Sequence, residues 1–124
     1  VFAESYAIHA LADSHLQEVQ ALPYPAPDFA GVDKSAAELR GRMHNAGIYT
    51  RRGPPSVEES IKVMRDWIAA DTNGVRKVLV HPRCRHFRNE MASYRRDPDG
   101  KVVKEFDHGP DALRYLLWAL RHAG

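Results

Sequence analysis

The residues best suited to chemistry lie in one short stretch near the end of the sequence, DHGPDALRY, residues 107–115. This stretch places two carboxylates and an imidazole, those of Asp107, Asp111 and His108, directly before a strongly apolar segment. Acids are favoured at the amino end of a helix because they interact with its unpaired N–H groups and its dipole. The same side chains are hard oxygen and nitrogen ligands for divalent metal ions. The local pattern is compatible with either role.

The apolar segment within and after this stretch predicts an amphipathic helix. Its leucines recur at the helical i, i+3, i+4, i+7 spacing, as Leu113, Leu116, Leu117 and Leu120. Pro110 suits the first helical position, because its missing N–H would have no intrahelical partner there. We therefore expect Gly109 to cap the helix, Asp111 to lie in its first turn, and Asp107 and His108 to lie just outside it.

The composition is that of one globular domain. The chain has 124 residues, of which 27% are charged and 44% hydrophobic, with a formal net charge of +2. No apolar run reaches the length of a membrane span, and the first residues have no secretory signal pattern. We expect a soluble protein that acts in the cytoplasm, without membrane association. The single cysteine, Cys84, is expected to be a small buried hydrophobic residue.

Positive charge is concentrated between residues 76 and 96. Glu90 is the only acid in this segment, whose basic residues are Arg76, Lys77, Arg83, Arg85, Arg88, Arg95 and Arg96. Such a cluster suits a phosphate backbone, but it is also typical of a solvated protein surface. Composition alone leaves both interpretations open.

Helices alternate with short strands along the rest of the chain. We predict helices over residues 8–21, 34–45, 57–68 and from 83, the third of them introduced by a Ser56–Glu59 capping box. We predict strands over residues 1–6, 48–50 and 75–80, and a hairpin arm over 101–104. Residues 51–55 are expected to form a basic loop, and residue 47, a glycine, to end the second helix. This alternation predicts an α/β architecture with a largely parallel sheet.

One further acid has a position typical of functional residues. Asp28 ends a proline-rich extended segment, residues 22–31, that precedes the second predicted helix. Open α/β sheets place functional groups at such positions. The alternative is local, since an aspartate also organises turns.

Several of these segments together resemble the C-terminal nuclease domain of the large terminase subunit of tailed bacteriophages. The most specific part is the closing segment of the DHxxDALRY type. The segments VLVHPRC, the basic helix and SYRRDPDGK are also similar to the family, as are PDFAG, which contains Asp28, and HNAGI. The resemblance extends from about residue 21 to the end of the chain. It implies a ribonuclease H-like fold, with a mostly parallel sheet flanked by helices.

The resemblance also implies an activity, which is phosphodiester hydrolysis with two Mg²⁺ or Mn²⁺ ions about 4 Å apart. It implies Asp28 as the middle metal ligand and Asp107 as the closing acid. His108 and Asp111 are the other candidate ligands of the closing segment, on either side of its turn. The biological role that the resemblance implies is cleavage of concatemeric DNA during genome packaging in the bacterial cytoplasm.

Further expectations concern the binding partners. Double-stranded DNA is the implied substrate, and the arginines expected to contact its phosphates are Arg51, Arg52, Arg83, Arg85 and Arg88. In the full-length family members the partners are the terminase ATPase domain, the small terminase subunit and the portal.

The start of the chain departs from the family pattern. Family members begin the fold with two strands, of which the first carries an essential acid, and neither strand precedes Val1. We therefore expect residues 1–124 to be a single partial nuclease domain that cleaves DNA weakly or not at all alone. The alternative function is a non-catalytic module that binds nucleic acid or protein and is derived from the same fold.

Overall fold

The computed structural model describes residues 1, 3, 4, 12–33 and 35–121. These residues form a mixed α/β structure. Its helices are α1 (Ala12–Ala21), α2 (Ala37–Asn45), α3 (Val57–Ile68), α4 (Arg85–Ser93) and α5 (His108–Arg121). Two short strands, β1 (Ala30–Val32) and β2 (Thr50–Arg52), pair in parallel, with Ala30 opposite Thr50 and Val32 opposite Arg52. The predicted α/β class is confirmed, as is the parallel pairing of the strands.

Helix α3 forms as its sequence predicts. The Ser56 hydroxyl accepts a hydrogen bond from the backbone N–H of Glu59 at 3.3 Å, which satisfies one of the unpaired donors of the first turn. Ile61 and Met64 lie three residues apart on the buried face, as an amphipathic helix requires. Burying a side chain of this size stabilises the fold by about 1.5–3 kcal/mol relative to exposure.

The hydrophobic core lies between α3, α4 and α5. It contains Val63 and Met64 from α3, Phe87 from α4, Leu113 and Leu117 from α5, and Cys84, which precedes α4. The expectation that the cysteine is a buried hydrophobic residue is confirmed, since Cys84 is completely inaccessible to solvent. Helix α5 therefore has one face against two other helices.

The same helix also packs directly against the sheet. A Cβ atom on Gly31 of β1 would lie only 2.8 Å from the backbone oxygen of Tyr115 in α5. Only a glycine permits this approach, because real Cβ atoms essentially never come so close to another heavy atom. Strand β1 and helix α5 are thus in backbone contact, which sets where the closing segment lies relative to the strand ends.

Two of the predicted strands are not strands in the described residues. Residues 75–80 do not form a strand, although the Val1 nitrogen donates to the Leu79 carbonyl at 2.6 Å and the His81 N–H donates to the Val1 carbonyl at 2.7 Å. These two hydrogen bonds flank one residue, Val80, and are too few to form a β-ladder. The strand predicted over residues 1–6 is absent at residues 1, 3 and 4, and its other residues lie outside the described part.

Boundaries of other elements also differ from the predictions. Strand β2 begins at Thr50, so Arg51 and Arg52 lie in the strand and not in a loop. Helix α1 begins at Ala12 and α2 at Ala37, while residues 8–11 and 34 lie outside the described part. The predicted hairpin arm is reduced to one antiparallel bridge between Arg96 and Val102. In the part of the chain that the structure describes, no helix has the length and hydropathy to cross a lipid bilayer.

The turn into α5 contains an unusual backbone conformation. Phe106 has a φ of 51°, in the left-handed region, while its side chain is 67% exposed. This conformation costs about 1–2 kcal/mol for a residue with a Cβ atom. We therefore expect Phe106→Gly to be more stable than Phe106→Ala by about 1 kcal/mol, after the entropy cost of glycine is subtracted.

Urea unfolding of the two variants measures this difference. Both lose the same exposed aromatic ring, so the comparison isolates the backbone conformation. An alanine variant as stable as the glycine variant would show that the turn carries no strain.

Candidate functional site

The closing segment forms the first turn of α5. The helix begins at His108, and the carbonyl of Asp107 accepts its first intrahelical hydrogen bond, from the N–H of Asp111 at 2.8 Å. Asp107 is therefore the capping residue, and the prediction that Gly109 caps the helix is wrong. Pro110 lies two positions further into the helix than predicted, and it is tolerated there because the first N–H groups of a helix have no intrahelical partner.

The two aspartates of this turn lie on the same face of α5. Residues four apart are neighbours on a helix surface, as Asp107 and Asp111 are here. Asp107 is buried, with 7% of its surface exposed, and its Oδ2 lies 3.9 Å from Nζ of the exposed Lys104. Asp111 is partly exposed, and its Oδ1 accepts a hydrogen bond from Arg114 Nη2 at 2.5 Å. Each carboxylate thus faces one cation.

Arg114 is the most deeply buried charged residue of this region. It is 2% exposed, and its Nη1 donates to the hydroxyl oxygen of Ser60 in α3 at 2.6 Å. Ser60 in turn donates to the Val57 carbonyl at 2.7 Å. Burial opposes the charge of Arg114, but the hydrogen bond to Asp111 and the charge of Asp111 outweigh it and raise the pKa of the guanidinium. This network fixes Asp111 relative to α3.

His108 faces a different side of the helix. It lines a cavity of about 270 Å³ between α4, α5 and residues 1, 3 and 4, together with Glu4 and Glu90. The α5 residues that line this cavity include Gly109 and Ala112 but neither of the aspartates. The first turn of α5 therefore presents His108 to the cavity, while Asp111 is held by Arg114, which bonds to Ser60 of α3.

A third acid, which the sequence analysis did not select, belongs to the same region as the two aspartates. Asp33 directly follows β1, and its Oδ1 accepts the N–H of Ser35 at 3.1 Å. The pKa of the Tyr115 hydroxyl is raised, first by burial and then by the negative charges of Asp111, Asp33 and Asp107. Three carboxylates therefore lie within electrostatic reach of Tyr115. The sequence did contain a signal, since Asp33 is the residue at the carboxyl end of a strand.

Asp28 lies at the other end of this strand. It is exposed and precedes β1 by two residues, whereas Asp33 follows β1, which spans about 10 Å. Arg51 of β2 donates to the Ala119 carbonyl at 3.2 Å, in the last part of α5. Helix α5 thus contacts β1 at Tyr115 and accepts a hydrogen bond from β2 at Ala119. Within residues 1, 3, 4, 12–33 and 35–121, no three acids, histidines or cysteines are grouped closely enough to hold a metal ion.

The arginines selected from the sequence fall into two groups. The guanidinium of Arg51 lies 4.1 Å from the centre of the Phe29 ring and bonds to α5, so it joins the strand to its neighbours. The other four are exposed, namely Arg52, Arg83, Arg85 and Arg88. Of these, Arg83 donates to the Tyr24 hydroxyl at 3.0 Å and Arg88 to the Pro82 carbonyl at 3.1 Å.

Comparison with models of protein families, with curated proteins and with solved structures finds no match to this chain. The chemistry available to the site therefore follows from its donor atoms. The carboxylates of Asp33, Asp107 and Asp111 offer hard oxygen ligands of the kind that Mg²⁺ and Mn²⁺ prefer. The exposed arginines before and on α4 offer donors to phosphate oxygens. These groups supply the donor types that a metal ion and a polyanion need, but the described residues contain no cluster of three metal ligands.

Proposed function

We propose that this chain is the metal-dependent DNA endonuclease domain of a phage or prophage terminase large subunit, with a ribonuclease H-like fold. The observation that carries the proposal is that Tyr115 of the closing segment lies beside the carboxyl end of β1: a Cβ atom on Gly53 would be 3.4 Å from Tyr115 Cδ1 and 3.5 Å from the Cα of Asp33. Ligands of α/β sheets bind at the carboxyl ends of the strands. The closing segment and this strand end thus meet where catalytic acids of an α/β enzyme are expected.

The metal ligands follow from the same positions. Asp107 and Asp111 supply carboxylate oxygens from α5, with Oδ1 of Asp111 held by Arg114. The resemblance favours Asp28 as the middle ligand, whereas the fold favours Asp33. These carboxylates would hold Mg²⁺ or Mn²⁺, which would supply an activated water and stabilise the leaving oxygen.

The substrate of this activity is double-stranded DNA, in concatemers that are cut during packaging. Arg52, Arg83, Arg85 and Arg88 are exposed and positively charged, which suits contacts to the phosphate backbone. In the full-length protein the ATPase domain, the small terminase subunit and the portal are the partners, in the cytoplasm of the bacterial host.

Plasmid nicking in Mn²⁺ tests the proposal. The assay uses this chain, for which we expect weak or no cleavage, and the chain extended upstream by the residues that its gene encodes. We expect Asp107→Ala and Asp111→Asn to reduce nicking by the extended chain by roughly 100-fold or more, since a metal ion stabilises the transition state by several kcal/mol. Asparagine at 111 keeps an acceptor for Arg114 and so preserves the fold.

Two further variants identify the middle ligand. Loss of nicking in Asp28→Ala supports the assignment by resemblance, and loss in Asp33→Ala supports the assignment by position. Asp99→Ala serves as the control, because Asp99 is an exposed acid of the 97–100 turn. Undiminished nicking in all four site variants, each shown to be folded by circular dichroism, would overturn the proposal. DNA binding without nicking in the extended chain would favour the non-catalytic module.

A further inference from the structure

Glu90 is a buried acid in the middle of a basic helix. It is only 4% exposed, although acids are almost never fully buried unless they are paired. Its Oε1 accepts a hydrogen bond from the backbone N–H of Gly109 at 2.7 Å. Gly109 is the second residue of α5, and its N–H is one of those with no intrahelical partner. The carboxylate therefore satisfies a helix donor and lies at the positive end of the helix dipole.

The contact depends on the absence of a side chain at Gly109. A Cβ atom there would lie 2.9 Å from Cδ2 of Phe87 and 3.1 Å from Oε1 of Glu90. Helices α4 and α5 thus approach each other at this turn as closely as glycine allows. The hydrogen bond and the close packing together fix the first turn of α5 against α4.

Helix α4 is itself held at its start by a second carboxylate. The two oxygens of Glu4 accept the backbone N–H groups of His86 at 3.0 Å and Phe87 at 2.9 Å. Phe87 and Glu90 are three residues apart and lie on one side of α4. Glu4 therefore joins the start of the chain to α4, and Glu90 joins α4 to α5, each by accepting unpaired N–H groups at a helix start.

We propose that Glu90 is the positioning residue of the closing segment. It acts through Gly109, which lies between Asp107 and Asp111, and so holds the two aspartates in the orientation that binds metal. This inference deepens the proposed function and rests on it for the effect on nicking. The effect on the Gly109 backbone does not depend on any activity.

Comparing Glu90→Ala with Glu90→Gln distinguishes a positioning role of the Glu90 carboxylate from a role of its side chain in packing. We expect the Gly109 amide to exchange with solvent about tenfold faster in the alanine variant, because its acceptor is lost. The glutamine variant keeps an acceptor oxygen and should exchange close to the wild-type rate. In the nicking assay we expect kcat to fall 10- to 100-fold in Glu90→Ala with KM for DNA unchanged, and to recover in Glu90→Gln.

Glu59→Ala is the matched control, since Glu59 is an exposed glutamate of α3. Unchanged Gly109 exchange in Glu90→Ala would overturn the inference, and so would a kcat equal to that of the control in a chain that nicks DNA. If the wild-type chain extended upstream does not nick DNA, the proposed function is overturned, and the Gly109 exchange rate then decides whether Glu90 positions the turn. Should Glu90→Ala fail to fold, Glu90→Met restores the volume without the acceptor and is judged by the same two measurements.

Discussion

Gly31→Ala is expected to destabilise the protein by about 3 kcal/mol, because overpacking of a close contact costs 1–3 kcal/mol and more where nothing can yield. The added Cβ would lie 2.8 Å from the Tyr115 oxygen, 3.0 Å from the Tyr115 carbonyl carbon and 3.1 Å from the Leu116 Cα. All three atoms belong to the backbone of α5, so no side-chain rotation relieves the contact. Either β1 or α5 must move, and both carry residues of the proposed site.

The same substitution at Gly41 supplies the control. Gly41 lies within α2, and a Cβ atom there would meet nothing within 4 Å. Alanine is a better helix former than glycine, so Gly41→Ala should stabilise the protein by about 0.5–1 kcal/mol. Urea unfolding at constant temperature measures both changes. Equal effects of the two substitutions would contradict the close approach of β1 and α5.

Arg114→Ala is expected to reduce the free energy of unfolding by about 3–5 kcal/mol. Removing one member of a buried ion pair leaves the other member with an unpaired charge. In Arg114→Ala, Oδ1 of Asp111 and the inaccessible Ser60 hydroxyl would each lose the hydrogen bond that Arg114 donates. The side chain of Arg114 also fills space between α3 and α5, so its truncation adds a cavity.

Arg42→Ala is the matched control for the buried arginine. Arg42 Nη2 pairs with Glu38 Oε1 at 3.2 Å within α2, and both side chains are largely exposed. Exposed pairs of this kind contribute about 0–1 kcal/mol, so Arg42→Ala should change the stability little. A difference of less than 1 kcal/mol between the two variants in urea unfolding would mean that the Arg114 network does not hold α5 on α3.

Local patterns in the sequence were sufficient for the helices that carry strong signals. Ser56 and Glu59 predicted the start of α3, and the hydroxyl of Ser56 does accept the Glu59 N–H. The leucines of α5 predicted its buried face only in part. Leu113 and Leu117 lie in the core, whereas Leu116 and Leu120 are more than a third exposed. These features depend on residues three to seven apart, which is the range over which helical periodicity and capping act.

Predictions that depended on distant partners were less accurate. The helix start was placed at Gly109 and Pro110, but an acceptor from α4, Glu90, binds the Gly109 N–H and the helix begins at His108. Residues 75–80 have the composition of a strand, yet among the described residues their backbone bonds only to Asp71, at Val75, and to Val1, at Leu79. A strand requires a partner strand, and local composition does not determine whether one is present.

The sequence by itself determined the α/β class, the main helices and the chemistry available to the closing segment, namely two carboxylates and an imidazole in one turn. Only the tertiary structure decided which of these groups share a surface: Tyr115 of the closing segment lies beside Asp33, while His108 lines a cavity with Glu4 and Glu90. The reason is physical. Helix periodicity fixes which residues lie on one face, whereas the contact of Gly31 with Tyr115 and the bond from Gly109 to Glu90 join residues far apart in the chain.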